Sequence, residues 1–161
     1  SKLLSWRKEL GIWMALTAFL HSLLIIKDWI KWDYMKFFGY VYMPEVQSYV
    51  SIEPGFGMAN FIGLIGLVFI GLLFITSSNK AIQYLGPNSW KYLHYSVNII
   101  FYLVFVHVFY FLFIHYTMTP FKAAADPDWF RYPFLIISSL VTIFQISDFV
   151  KIVKKKKNKK V

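Results

Sequence analysis

Residues 92–121 read YLHYSVNIIFYLVFVHVFYFLFIHYTMTPF, thirty residues between Lys91 and Lys122 without a charged side chain. About 20 mostly apolar residues suffice to cross a bilayer as a helix. The stretch also has no polar face wide enough to meet water, so it reads as a membrane span rather than as a buried helix of a soluble bundle. Working outward, three more charge-free windows emerge: Leu10–Ile26, Pro54–Asn79 with its apolar heart at Met58–Thr76, and Tyr132–Ser147. The first and last are short, and each lengthens if flanking Lys or Arg side chains reach toward the headgroups. The expected fold is therefore all-α, an integral membrane bundle of about four transmembrane helices.

Composition agrees. Charged residues make up 16% of the 161-residue chain, against roughly 25% in an average soluble domain. Aromatic residues reach 21%, more than one soluble core of this size holds. The chain has no cysteine, which removes disulfides, thiolate metal sites, iron–sulfur clusters and thiol catalysis together. Trp6, Trp29, Trp32, Trp90 and Trp129 fall at segment ends, where interfacial belts form; Trp13 alone lies inside a span.

Four spans put both termini on one side. That side collects twelve of the 17 Lys and Arg residues, seven of them in the tail, against five on the other. The positive-inside rule makes it cytoplasmic. Residues 1–150 then form one transmembrane domain and 151–161 a basic cytoplasmic tail. The tail reads first as a stop-transfer anchor on anionic lipid, and second as a docking site for an acidic electron donor. A lysine run alone does not make a nucleic-acid-binding protein. The aromatic outer loop, about residues 28–57, reads as an interfacial helix followed by an extended stretch. Gly86-Pro87-Asn88 marks a turn in the inner loop. Asp126 or Asp128 is a candidate cap for the last helix, with Pro133 in its first turns. Ala59 and Gly63, four apart, permit close helix approach.

Ionisable groups inside spans are costly and therefore functional candidates. They are His21 in the first span and His94, His107 and His115 in or near the third. No acid lies mid-span, which argues against a carboxylate proton relay and against acid–base hydrolysis. Neutral imidazole is a good haem-iron ligand, and two of them make a six-coordinate electron-transfer site. A lone buried histidine more often bonds a neighbouring carbonyl, but a depth-matched pair on two helices favours ligation. His21 lies about 21 Å along its helix from Arg7, and His107 about 24 Å along its own from Lys91. The two helices run in the same direction, so the rings sit at similar height. His94, about 20 Å inward of His107, is placed to ligate a second haem. Its 13-residue spacing from His107 turns about 220° round an ideal helix, so sharing a face needs a local distortion. Arg7 reads as an interfacial anchor; its second reading is a partner for haem propionates or for the phosphate of FMN. His115 reads as an interfacial residue, with propionate binding as the lesser alternative.

Trp6-Arg7-Lys8-Glu9-Leu10-Gly11 running into Leu20-His21 resembles the opening of ferric-reductase-like transmembrane domains. Ile75-Thr76-Ser77-Ser78-Asn79, Leu85-Gly86, Trp90 and Leu93-His94 closely resemble the signature of the MsrQ (YedZ) haem subunits, and His107 falls where that family has its next histidine. The resemblance spans roughly residues 5–150. It implies haem b, one or two, held by His21, His107 and His94. It also implies a quinol or a cytoplasmic flavin reductase as donor, and a soluble methionine sulfoxide reductase on the outer side as acceptor. Related oxidases append a flavin and nicotinamide domain, which is not expected here. About six spans are usual in that family where four are counted, and the long aromatic outer loop suits a different partner. The expected role is a haem b electron-transfer subunit of a membrane oxidoreductase. The alternative is a haem-free structural subunit of a larger membrane complex.

Overall fold

The computed structural model describes residues 6–51, 55–115 and 128–158. Among them, four helices are long and apolar enough to cross a membrane: Lys8–Ile30, Phe56–Ile75, Pro87–His115 and Arg131–Lys156. Each covers one of the four charge-free windows read from the sequence. Large apolar side chains such as Leu20, Val68, Ile75, Ile99 and Phe144 stand exposed along them. That is the surface a lipid-facing helix presents, since all backbone groups are satisfied within the helix and the side chains meet hydrocarbon. The chain is an integral, multi-pass membrane protein.

The first span is α1 (Arg7–Leu24), continued by a π-helical turn over Ile25–Ile30. Its hydroxyls bond back to the preceding turn, Thr17 to the Trp13 carbonyl and Ser22 to that of Ala18, so both are satisfied within the helix. Lys31 and Trp32 take left-handed backbone angles and reverse the chain. Asp33 caps the short α2 (Tyr34–Phe37) by accepting from the Met35 N–H. The extended stretch expected after it is a hairpin: β1 (Tyr40–Met43) pairs antiparallel with β2 (Ser48–Ser51), Tyr42 opposite Tyr49. The second span is α3 (Phe56–Ile75).

The inner loop holds α4 (Asn79–Leu85), capped by Ser78. Gly86 then turns the chain at φ 76°, and Pro87 opens α5 (Pro87–His94) at the position where its missing N–H is not needed. A break at Tyr95 and Ser96 separates α5 from α6 (Val97–Phe109), which runs into a second π turn over Tyr110–His115. Both α1 and α6 pack against α3. They meet it around Ala15, Ile70, Leu73 and Ile100, a small buried cluster flanked by Ala18, Phe69 and Leu93.

The segment after residue 115 forms a separate compact unit. Its described part is α7 (Arg131–Asn158). Asp128 accepts from the Phe130 N–H just ahead of it, and Pro133 occupies its first turn, as the sequence reading expected. Asp126 lies outside the described residues. The helix runs through Lys151 into the basic tail, where Lys151 pairs with Asp148 at 3.3 Å.

One polar contact ties the far-end loop to the spans. Asn60, 7% exposed, donates from Nδ2 to the Phe37 carbonyl at 2.8 Å. Replacing Asn60 by Ala leaves that carbonyl without its donor, a loss on the order of 1–2 kcal/mol. The expected result is a lower thermal midpoint in detergent and faster proteolysis within residues 34–51.

Candidate functional site

α3 is the ruler along which the histidines are placed. Near its start, the His107 Nδ1–H donates to the Ala59 carbonyl at 2.8 Å. A carbonyl oxygen has two lone pairs, so Ala59 serves this bond without leaving its own helix. The approach depends on Gly63. A Cβ at that position would lie 2.6 Å from His107 Nδ1 and 2.7 Å from Cε1. The small pair Ala59 and Gly63, read from the sequence as permitting close approach, is thus where α6 sets its imidazole onto α3. With Nδ1 protonated and engaged, the ring's lone pair is on Nε2, the form in which a histidine ligates a metal.

His21 lies in the last turn of α1, its side chain exposed rather than packed. The helices that carry His21 and His107 both pack against α3. Among the described residues there is no group of three or more His, Asp or Glu side chains able to cage a metal ion.

His94 stands at the opposite end of α3. Its ring stacks on Trp90 with centroids 4.1 Å apart, and its Nε2 lies 3.4 Å from Thr76 Oγ1. The Thr76 hydroxyl donates to the Leu72 carbonyl at 2.7 Å, so its contact with His94 has the imidazole as donor. Trp90 Nε1 donates to the Thr76 carbonyl at 2.8 Å. The Thr76, Trp90 and His94 of the sequence signature are therefore one clamp that fastens α5 to the end of α3. His94 makes its contact through Nε2, His107 through Nδ1. Seventeen residues of α3 separate Thr76 from Ala59, about 25 Å, so His94 is not brought together with the other pair. Turn residues Tyr95 and Ser96 interrupt the helix between His94 and His107. A groove of about 610 Å³ lies alongside, lined by Phe69, Tyr92, Leu93, Ser96 and Ile99, and no histidine borders it.

Two expected placements change or fall away. His115, at the end of the third span, is buried rather than exposed: it is 1% exposed, enclosed by Trp29, Phe56 and Phe111 at ring distances of 5.9, 5.2 and 5.4 Å. The π turn is the cause. It rotates less per residue than an α turn, which brings position 115 round toward the face that carries His107 and Phe111. Arg7 begins α1, but the contacts of its side chain lie outside the described residues. Sequence reasoning missed Phe111 altogether, 5.0 Å from the His107 ring. No spacing rule exposes it, because the π turn is invisible in the sequence.

The cradle makes a sharp prediction. Gly63→Ala forces the His107 ring off the Ala59 carbonyl and should destabilise the protein by about 1–3 kcal/mol. Gly11→Ala, with nothing within 4 Å of the added carbon, should be neutral or raise stability by about 0.5–1 kcal/mol. Thermal unfolding in detergent, with ¹⁵N resonances of the His107 ring as local probe, separates the two.

Comparison with known proteins adds one finding. No curated protein and no solved structure matches the chain. The family described as ferric reductase like transmembrane component matches residues 1–105, a stretch that contains His21, the Thr76–Trp90–His94 clamp and the Ala59–Gly63 cradle, and stops two residues short of His107. Membership in that family marks an oxidoreductase-related membrane component and points to a role in membrane electron transfer. The match spans well over half of the sequence, and the chain belongs to the ferric-reductase-like transmembrane family.

Proposed function

We propose that the chain is the haem b electron-transfer subunit of a membrane oxidoreductase, with His21 and His107 as the residues that would hold one haem. The observation that carries this reading is the bond from His107 Nδ1 to the Ala59 carbonyl. It fixes the tautomer and the ring plane, and it leaves Nε2 as the donor atom, which is how proteins orient metal-bound imidazoles. Haem, when bound, supplies reversible one-electron chemistry at iron. The protein's share is to hold the two rings, to keep water from the site with the apolar walls of α1, α3 and α6, and to keep charged side chains out of mid-span.

His94 is the candidate ligand for a second haem nearer the chain termini. It would ligate through Nδ1, or through Nε2 after release from Thr76. Arg7 remains the candidate partner for propionates or for FMN. The sequence signature around Thr76 and His94 supports an MsrQ-like branch within the family. On that reading electrons arrive from a quinol or a cytoplasmic flavin reductase and leave to a redox protein on the opposite face. With the termini cytoplasmic, the lysines of α7 face the donor.

A reduced-minus-oxidised spectrum of the purified protein, made with ample haem, tests the proposal. A b-type spectrum is expected, with low-spin signals that are lost or become high-spin in His21→Ala and in His107→Ala. Absence of a b-type spectrum, or unchanged haem content and spin state in both variants, rejects it.

A further inference from the structure

At the far ends of α1, α3 and α6, aromatic rings drawn from three elements pack together. Trp29 comes from the π turn after α1, Phe56 from the first residue of α3, and Phe111 and His115 from the π turn after α6. Trp29 meets Phe56 edge-on at 5.1 Å and Phe111 at 6.1 Å, and Phe56 meets Phe111 at 5.6 Å. These distances lie in the favourable range for ring pairs. Phe111 continues the set to His107 at 5.0 Å. Phe56 is 5% exposed and His115 1%, whereas Trp29 is 41% exposed and forms the outward edge. Tyr110 closes over Gly55, whose φ of 85° and missing Cβ leave room for the tyrosine ring 2.9 Å from where that carbon would stand.

Three features set this cluster apart from ordinary core. Two π turns occur at one level on the two helices that carry His21 and His107, and π turns gather at functional positions because they are disfavoured otherwise. Each turn redirects an aromatic side chain toward the other helix. A titratable ring is fully buried at the centre, where leucine would carry a smaller desolvation penalty. The result is a rigid block resting on the face of His107 that the Ala59 bond does not restrain.

We infer that Trp29, Phe56, Phe111 and His115 form a seal over the far end of the histidine cleft, which holds the His107 ring in its ligating orientation and excludes small molecules from it. These four are positioning residues. His107 is pinned from one side by a hydrogen bond and from the other by Phe111, which is itself backed by Trp29. In the haem-loaded protein of the preceding proposal, the seal keeps His107 on the iron and denies that coordination position to diatomic ligands such as carbon monoxide.

Two measurements test the seal. The first needs no haem: histidine modification by diethylpyrocarbonate, followed site by site with mass spectrometry on the full-length apoprotein in detergent. His107 should react slowly. Trp29→Leu and Phe111→Leu should speed the His107 reaction by about tenfold or more, as local opening becomes easier, while Trp29→Phe restores protection. Trp129→Leu, an exposed tryptophan in the other compact unit, should change nothing. Equal His107 rates in wild type and both leucine variants overturn the inference. In the second, the reduced haem-loaded wild type should ignore carbon monoxide and the leucine variants should bind it; no binding by variants with normal haem content overturns the role at iron. A protein without a b-type spectrum but with a protected His107 sinks the haem reading and leaves the seal standing.

Discussion

An imidazole inside a membrane span must place its N–H, because hydrocarbon offers no partner in place of water. His107 does so on the Ala59 carbonyl, through the gap left by Gly63. That bond does two jobs. It fastens α6 to α3 at one height and azimuth, in a setting where apolar side chains alone give helices little reason to choose a register. It also sets which ring nitrogen keeps a lone pair. Packing and ligation chemistry therefore rest on the same contact.

The opposite end of α3 is built differently. There Thr76 receives both Trp90 and His94, and the ring stack of those two residues completes a clamp. The two histidines of the third span are thus held through different ring nitrogens by opposite ends of one helix. The interruption at Tyr95 and Ser96 separates their segments and relieves α5 and α6 of any need to share a helical phase. One histidine is presented with Nε2 as its donor atom and the other with Nε2 engaged. Such an arrangement favours distinct roles for the two over a pair of equivalent sites.

The far-end loop shows how little polar material such a protein needs. One buried amide, Asn60, reaches the Phe37 carbonyl, and one carboxylate, Asp33, caps the short helix beside it. The hairpin of residues 40–51 then extends from an anchored base, its tyrosines outward. This is an aromatic interfacial element of the kind the tryptophan and tyrosine placement implied, with strand pairing where only an extended chain was expected.

Hydropathy and charge placement by themselves determined the four spans, because lipid accepts only long, uncharged, self-bonded helices and those gaps can be counted. They also singled out the histidines as the ionisable groups to watch, and gave an expected similar height for His21 and His107, since helical rise converts residue number into depth. Ala59 and Gly63 were legible as a close-approach pair, though not as the seat of an imidazole. Tertiary structure alone decided which carbonyl His107 uses, that His94 is clamped to Thr76, and that His115 is buried among aromatic rings. Those outcomes depend on azimuth, and azimuth was reset by a helix break and two π turns, whose hydrogen-bond shifts leave no mark in the pattern of apolar residues.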